Sequence, residues 1–541
     1  MATICDSCRQ HLKNFMEWIE RASEDLLEKI KEFFKNIQFC SCLKRKRTKS
    51  DHRNMPVLQQ HEKEAAQEFL QHIEEASENN VIDMESLKAL QTLAASENPS
   101  LQQSAALYYL HISEELKSEL PEEYLEPYHN LLQSSDLEVQ RKTSLSLVNL
   151  LVEGNVNKET VVQIGLLEPI LELLGSGDAT VQCNSCASIA SLATSAFNRE
   201  VIASEGGINP LLVLAKSYDP RVQQNAVGAI LNLSRSEKIQ HLLCKEKALP
   251  VLILHLQSPD SEVQYYSCAA LSNIATNPHH HQSMLQIGDG ILLKMLLSLM
   301  SSSVEKVCCQ ACYCLRNLSL NKNIQADIVT MNCLAQLHDL LKFPSVNVNE
   351  AALTLLRTLA DNHSNMDAIM SENILNTLGK LLLVHKTNPG ISYLGATIIH
   401  KLARSETQQA FIDSRCAAAL LQALRYFSVN TETLVHVTAC IAELTKQEMF
   451  TLLLRPHTKE IVDYILHFLQ HQEIRFQHLG LLTLRNLNKD PYFVAVFDET
   501  ELTVQLRRVC QQTSETQELL QAVLFHNNEE QQKHQKTNEN T

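Results

Sequence analysis

"RVQQNAVGAILNLSRS" (residues 221–236) is followed by "EVQYYSCAALSNIATN" (residues 262–277), a second copy of the same pattern. Four more copies begin at Glu138, Thr180, Lys306 and Asn347. The valines that mark the six copies lie 42, 41, 41, 44 and 41 residues apart: Val139, Val181, Val222, Val263, Val307 and Val348. This period is typical of helical solenoids, in which stacked units share one continuous core.

Weaker copies extend the array in both directions, beginning at Leu101, Ile391, Leu434 and Phe476. We therefore expect about ten units between roughly residues 80 and 495. Predicted helices at 60–78 and 499–525 cap the two ends, so the solenoid occupies residues 56–525. The tail, residues 526–541, has no apolar side chain and is expected to be disordered.

Composition supports an all-α protein and excludes several functions. The 541 residues contain only 13 glycines and 14 prolines, and almost no stretch alternates at period two. A net charge of −15 argues against sequence-independent nucleic-acid binding, which needs a basic face. No secretory signal or run of 18 apolar residues occurs, so the 16 cysteines are expected to be free thiols. No motif predicts an enzyme or a cofactor, and no metal site is expected in the repeats.

The first 39 residues form an extension with a predicted amphipathic helix at 9–38. Its apolar residues follow one side of the helix: Leu12, Phe15, Ile19, Leu26, Ile30, Phe33 and Ile37. The polar side balances six bases against six acids, whereas helices that lie on membranes usually carry a basic face. Docking onto a protein surface, with the chain's own solenoid as one candidate, is therefore favoured over membrane contact.

Residues 40–55 join two cysteines, Cys40 and Cys42, to a basic island that begins with Lys44–Arg47. Acylated cysteines beside a polybasic run make a two-signal membrane anchor. A nuclear-import signal and a solvated basic linker are the alternatives. Cys5 and Cys8 are weaker candidates for acylation. They are also candidates for a zinc site with the second pair, although 31 intervening residues make a compact site difficult.

The repeats resemble the armadillo pattern, in which units of 41–44 residues end in a helix containing LxNL. "SLKALQTLAASENPSLQQSAALYYLHIS", "VQCNSCASIASLAT" and "VQYYSCAALSNIA" resemble repeats of the vacuolar protein 8 family. The resemblance covers about residues 83–495 and is strongest between 83 and 325. It implies a right-handed superhelical armadillo-repeat solenoid that binds extended protein segments in its concave groove.

The third helix of each armadillo repeat lines that groove, and this resemblance assigns one column of residues to it. Asparagine recurs in the column at Asn232, Asn273 and Asn317, and also at Asn149 and Asn486. A carboxamide both donates and accepts hydrogen bonds, so it can hold the backbone of an extended peptide. The alternative is that these side chains only join neighbouring helices.

The residue before this column is basic at Arg316, Arg357 and His400. The resemblance implies arginines that grip a partner at these three positions, because guanidinium binds carboxylate or carbonyl oxygens bidentately. His400 departs from that pattern, although Lys401 lies beside it. A solvated helix face is the alternative. Armadillo nuclear-import adaptors pair each groove asparagine with a tryptophan, whereas this chain has only Trp18, outside the repeats.

The family's amino-terminal signal is a lipidated cluster of glycine and cysteines ending in CSCLK, and CSCLK here occupies Cys40 to Lys44. Ala2 excludes N-myristoylation at this amino terminus. The resemblance implies a non-enzymatic scaffold on the cytosolic face of a vacuole or lysosome, acting in organelle inheritance, membrane contact or autophagy. The alternative is a soluble nuclear or cytosolic adaptor that uses the basic island for import.

Overall fold

The structure is a computed structural model that describes residues 58–75, 84–288, 290–402, 414–426, 431–446, 448–500, 502–509 and 513–524. Within these ranges the chain is helical and forms no β-strand. The predicted amphipathic helix, both amino-terminal cysteine pairs, the basic island and the tail lie outside the described residues.

The chain divides into two compact units, Met1–Ile287 and Gly288–Thr541. Helices of the first unit, in chain order, are α1 (Gln60–Glu75), α2 (Met84–Ala95), α3 (Pro99–Glu115), α4 (Pro127–Leu132), α5 (Leu137–Glu153), α6 (Lys158–Gln163), α7 (Leu167–Leu173), α8 (Ala179–Leu192), α9 (Ala196–Ser204), α10 (Ile208–Leu214), α11 (Pro220–Leu233), α12 (Glu237–Lys245), α13 (Ala248–His255), α14 (Ser261–Ile274) and α15 (His281–Gln286). Short 3₁₀ turns occupy Glu122–Leu125 and Pro278–His280.

Helices of the second unit are α16 (Ile291–Met300), α17 (Glu305–Leu318), α18 (Lys322–Thr330), α19 (Cys333–Leu340), α20 (Val346–Leu359), α21 (Met366–Ser371), α22 (Ile374–Val384), α23 (Pro389–Leu402), α24 (Cys416–Tyr426), α25 (Thr431–Leu444), α26 (Glu448–Leu454), α27 (Thr458–Leu469), α28 (Ile474–Leu487), α29 (Pro491–Asp498) and α30 (Leu502–Leu506). Further 3₁₀ turns occupy His363–Asn365 and Arg455–His457. A last helix covers residues 514–524, so the cap predicted at 499–525 consists of two helices.

The long third helices of successive repeats stack within each unit. In the first unit α3, α5, α8, α11 and α14 pack in that order. In the second unit α17, α20, α23, α25 and α28 do the same. These ten third helices among the described residues confirm the predicted all-α repeat architecture of about ten repeats.

The valines that reveal the repeat in the sequence are core residues. Val139, Val181, Val222, Val263 and Val307 are 0% exposed, and Val348 is 1% exposed. Each valine is the third residue of its third helix. Burial of one such side chain contributes about 1.5–3 kcal/mol, so the period is maintained by the energetics of stacking.

Serine and aspartate define where several third helices begin. Asp178 accepts hydrogen bonds from the amides of Thr180 and Val181, both at 3.0 Å, and its own amide donates to Ser176 Oγ. The same arrangement recurs at Asp136, Asp219 and Asp260, each two residues after a serine. Such N-caps satisfy otherwise unpaired amides at the first turn and contribute about 1 kcal/mol each.

Candidate partner-binding site

The asparagine column joins consecutive repeats. Asn232 Nδ2 donates to the Ala190 carbonyl at 2.8 Å, and Asn273 Nδ2 donates to Ser234 Oγ at 2.9 Å. Both acceptors lie near the end of the preceding third helix. One function of these side chains is therefore to fix the stacking of neighbouring repeats, as in the alternative interpretation of the sequence.

Other members of the column make the same kind of contact. Asn149 donates to Ser113 Oγ at 3.1 Å, and Asn486 donates to the Ala442 carbonyl at 3.0 Å. Both asparagines are buried. Ser191, which replaces asparagine in one repeat, donates to the Leu151 carbonyl at 3.1 Å. The contact to the preceding repeat is thus maintained with either side chain.

Asn232 and Asn273 differ from the buried asparagines because they are half-exposed. Their Nδ2 groups are held by the preceding repeat, whereas their Oδ1 atoms accept no hydrogen bond from the residues that the structure describes. Each carboxamide has a second N–H besides the one already used. The structural tie therefore orients the amide and leaves an acceptor for the backbone N–H of a bound segment.

Asn317 has a different contact. Arg316 Nη1 donates to Asn317 Oδ1 at 2.8 Å, and the asparagine is only 7% exposed. A nearly buried carbonyl thus holds a half-exposed guanidinium in one orientation. Asn317 is placed to position Arg316, and its direct contact with a partner backbone stays a prediction.

Arg357 and Tyr393 come together from adjacent repeats. The guanidinium carbon of Arg357 lies 5.4 Å from the centre of the Tyr393 ring. The ring also meets His436 of the next repeat edge-on, with centroids 4.5 Å apart. Cation–π contact of this kind holds the arginine without using its hydrogen-bond donors. Tyr393 was not predicted as a site residue from the sequence, although its position early in a third helix could have indicated it.

Tyr313 lies one turn before Arg316 on the same helix, and 37% of its surface is exposed. Burial of the rest of the side chain raises the pKa of Tyr313 to about 12, so the phenol stays neutral. Tyr313, Arg316, Arg357 and Tyr393 are hereafter called the arginine–tyrosine surface. Neither arginine forms an ion pair within the described residues, so both cations are available to a ligand.

The ammonium group of Lys401 already has partners within the protein. Its ammonium forms an ion pair with Asp361 and donates to the Arg357 carbonyl at 3.1 Å. Only 19% of the lysine side chain is exposed. His400, the other candidate for a third basic contact, is exposed at the end of α23.

Cysteines and histidines in the repeats have structural positions. Cys183, Cys186, Cys308, Cys312 and Cys314 are buried, and the eleven cysteines in the described ranges are free thiols. His280 is buried, and a ring nitrogen of His281 lies 2.8 Å from the Ala275 carbonyl. Among the described residues, no group of three or more His, Cys, Asp or Glu side chains is arranged to hold a metal ion.

By length and hydropathy, no single described helix qualifies as a membrane span. One bent pair, Pro278–Gln286 with Ile291–Met300, passes the same criteria when its two helices are taken together.

Comparison with known proteins identifies the repeats and the family. The Armadillo/beta-catenin-like repeat family matches residues 198–235 and 236–276. Vacuolar protein 8 of Schizosaccharomyces pombe is 42% identical over 413 residues, which cover 76% of this chain and 74% of the relative. This chain belongs to the vacuolar protein 8 family. It is accordingly an armadillo-repeat protein-interaction scaffold.

Other members of the vacuolar protein 8 family match over shorter stretches. Vacuolar protein 8 of Saccharomyces cerevisiae is 37% identical over 126 residues, covering 23% of this chain and 21% of the relative. Vacuolar protein 8 of Komagataella pastoris is 41% identical over 126 residues, covering 23% of this chain and 22% of the relative.

Two solved structures share the fold. One is an engineered protein with a TM-score of 0.64 and 22% sequence identity. The match covers 74% of this chain and 98% of the engineered chain. The other comes from work on a phosphorylation switch in the interaction between cadherin and beta-catenin. This structure has a TM-score of 0.61 and 16% sequence identity. The match covers 86% of this chain and 96% of the solved chain.

Proposed function

We propose that this member of the vacuolar protein 8 family is a non-enzymatic, membrane-tethered scaffold that captures extended segments of partner proteins. The observation that carries the proposal is the arginine–tyrosine surface. Two guanidinium groups are held in place by protein contacts, and neither is neutralised by a carboxylate of the described residues. Preorganised cations of this kind bind partner carboxylates or carbonyl oxygens without first breaking an internal ion pair.

In the first unit, partner backbones lie across the third helices. The Oδ1 atoms of Asn232 and Asn273 accept from backbone amides two to three residues apart in an extended segment, because neighbouring helices lie about 8–10 Å apart. In the second unit, acidic side chains or carbonyl groups of the segment meet Arg316 and Arg357, with His400 and Lys401 at the edge. The two tyrosines supply apolar contact beside the charges.

The membrane tether is assigned to the amino-terminal segment. Acylation of Cys40 and Cys42 combines with Lys44–Arg47 to hold the chain on an anionic surface, since each basic residue contributes about 1 kcal/mol there. By analogy with the family, the membrane is that of a vacuole or lysosome and the scaffold works on its cytosolic face. Organelle inheritance, membrane contact and autophagy are the processes that this analogy favours.

Peptide selection tests the partner-binding part. A library of short random peptides is selected on the wild-type chain, and the affinities of the selected peptides are measured for Arg316→Ala/Arg357→Ala. Charge-assisted hydrogen bonds contribute about 1.5–3 kcal/mol each, so the double variant should bind more than tenfold more weakly. The selected peptides should be enriched in Asp and Glu.

The matched control is Arg475→Ala/Arg508→Ala, which removes two exposed arginines of the same unit that lie outside α17, α20 and α23. The control should melt at the wild-type temperature, because exposed substitutions usually cost less than about 0.5 kcal/mol. The test variant removes a hydrogen-bond partner of Asn317 and should lose about 1 kcal/mol, which thermal melting measures. Equal binding by all three proteins would contradict the proposal.

Cell fractionation tests the tether. Wild-type protein should sediment with vacuolar or lysosomal membranes and be released by hydroxylamine, which cleaves thioesters. Cys40→Ser/Cys42→Ser should be soluble, with Cys5→Ser/Cys8→Ser as the control for the weaker candidate pair. A soluble nuclear pool that hydroxylamine does not change would instead support the adaptor with a basic import signal.

A further inference from the structure

Two second helices of the first unit expose large apolar side chains at corresponding positions. Val213 in α10 is 65% exposed, and Leu254 in α13, one repeat of 41 residues later, is 62% exposed. Tyr218, in the turn after α10, is fully exposed. The corresponding residue of the preceding repeat is Glu172, which is exposed and charged. The apolar pair is therefore specific to these two repeats and is not a requirement of the fold.

A hydrogen bond fixes Val213 and Leu254 near one another. A ring nitrogen of His255 lies 2.7 Å from the Ala215 carbonyl, joining the ends of α13 and α10. Val213 lies two residues before Ala215, and Leu254 directly precedes His255. Pro250 is exposed one turn before Leu254 and extends the apolar area along α13. We call Val213, Leu254, Tyr218 and Pro250 the outer apolar patch.

The chain contains a segment that matches this patch in chemistry. Residues 9–38, outside the described residues, carry the seven apolar side chains of the predicted amphipathic helix. Their polar side is electrically balanced, so it offers little attraction to an anionic bilayer. A helix with an apolar row but no basic face is expected to bury that row against an apolar protein surface rather than in an anionic bilayer.

The connection between the segment and the first described helix is long enough. Residue 38 lies 20 positions before residue 58, where the described chain begins. An extended stretch of that length reaches about 66 Å. The patch is about four repeats from α1, which is about 40 Å at helix spacings of 8–10 Å.

The size of the patch favours a tethered occupant over a separate molecule. Stable interfaces between proteins bury about 800 Å² on each partner, far more than two aliphatic side chains and one tyrosine provide. A segment joined by a short linker instead meets the patch at an effective concentration in the millimolar range. Weak contact is then sufficient for docking.

We propose that residues 9–38 dock as a helix on the outer apolar patch of the same chain. The contact places the apolar row of the segment on Val213 and Leu254 of the solenoid. The partner-binding surface is not used, so the docking is independent of the function proposed above.

Trp18 provides a direct probe, because it is the only tryptophan in the chain and borders the apolar row beside Ile19. The test compares tryptophan emission and acrylamide quenching in the full-length wild type and in Val213→Asp/Leu254→Asp. Each substitution replaces an apolar contact with a charge and should lower the ratio of docked to free segment by about tenfold or more. Emission should shift towards that of tryptophan in water, and quenching should increase.

Val384→Asp is the matched control, since Val384 is 73% exposed at the end of a second helix in the other unit. This variant should leave Trp18 emission unchanged. Tryptic cleavage within residues 9–38 should accelerate in the patch variant and not in the control. Circular dichroism melting checks that both variants keep the wild-type fold.

Three results would overturn the proposal. Wild-type Trp18 emission equal to that of free tryptophan in water would reject docking. A blue-shifted emission that the patch variant leaves unchanged places the segment elsewhere. A shift that depends on protein concentration, or that develops only with phosphatidylserine vesicles, assigns the segment to a second copy or to a membrane.

Discussion

Asn317 holds the guanidinium of Arg316, with Arg316 Nη1 donating to Asn317 Oδ1 at 2.8 Å. The acceptor is nearly buried, so the cation is oriented before any partner arrives. Ordering a long side chain in advance lowers the entropy lost on binding, by about 0.5–1.5 kcal/mol for each immobilised side chain. We therefore expect the asparagine to contribute to partner binding through the arginine beside it.

Asn317→Leu should weaken the binding of acidic peptides by about three- to tenfold even though Arg316 is retained. The same substitution should have little further effect in an Arg316→Ala background, because the two residues act as one unit. A double-mutant cycle with the selected peptides measures this coupling. Additive losses would instead mean that Asn317 contacts the partner directly. Thermal melting of each variant separates the binding effect from any loss of stability.

Asn232→Ala should lower the free energy of unfolding by about 1 kcal/mol, because it removes the hydrogen bond to the Ala190 carbonyl. Asn209→Ala is the control, since Asn209 is exposed on α10 and its loss should cost less than about 0.5 kcal/mol. Urea unfolding of the full chain measures both. Equal midpoints for the two variants would show that the contact between the repeats contributes nothing to stability.

Much of the fold was predictable because one physical requirement recurs in every repeat. Each third helix buries an apolar side chain near its start, and in six of them this residue is a valine that recurs at a nearly constant interval. The division after Ile287 was not predicted, although the longest interval, 44 residues, spans it. Gly288 and Gly290 have positive φ values of 59° and 80° in this interval. A spacing alone does not reveal where the chain divides into compact units.

The positions of the candidate site residues within the repeats were predictable from the sequence, but the contacts that these residues make were not. Repeat register places Arg316, Arg357 and Lys401 near one surface, because all three lie at the end of third helices. Which cation is free depends on neighbours that only the three-dimensional structure brings close. Asp361, from the turn after α20, neutralises Lys401, whereas Tyr393 packs against Arg357, which has no carboxylate partner among the residues that the structure describes.

Asp361→Asn should strengthen the binding of acidic peptides, because it releases the ammonium of Lys401 from its ion pair. Exposed ion pairs contribute about 0.2–1 kcal/mol, so the gain should be no more than about fivefold. Asp339→Asn is the control, since Asp339 pairs with Lys342 on a second helix of the same unit. Affinities are measured at low and high salt. A gain that persists in high salt would contradict the electrostatic explanation.

Glu114 should make stability depend on pH. Burial, together with the neighbouring Glu115 carboxylate, raises the pKa of Glu114 from 4.5 to about 7. Its Oε2 atom is buried and has no hydrogen-bond partner among the described residues. The folded state therefore keeps a proton that the unfolded state releases between pH 4.5 and 7. Across this window the free energy of unfolding should fall as the pH rises.

Glu114→Gln should remove that dependence and stabilise the protein at pH 8 by about 1 kcal/mol, a value reduced from the full pKa shift because the side chain is only half-buried. Glu115→Gln is the control, since Glu115 is exposed on the next position of α3 and acts only through its charge. Thermal melting of the three proteins between pH 5 and 8 measures the effect. Parallel pH profiles for wild type and Glu114→Gln would show that this carboxyl titrates alike in the folded and unfolded chains. A steeper fall for the wild type, with Glu115→Gln in between, would locate the effect in the burial of Glu114.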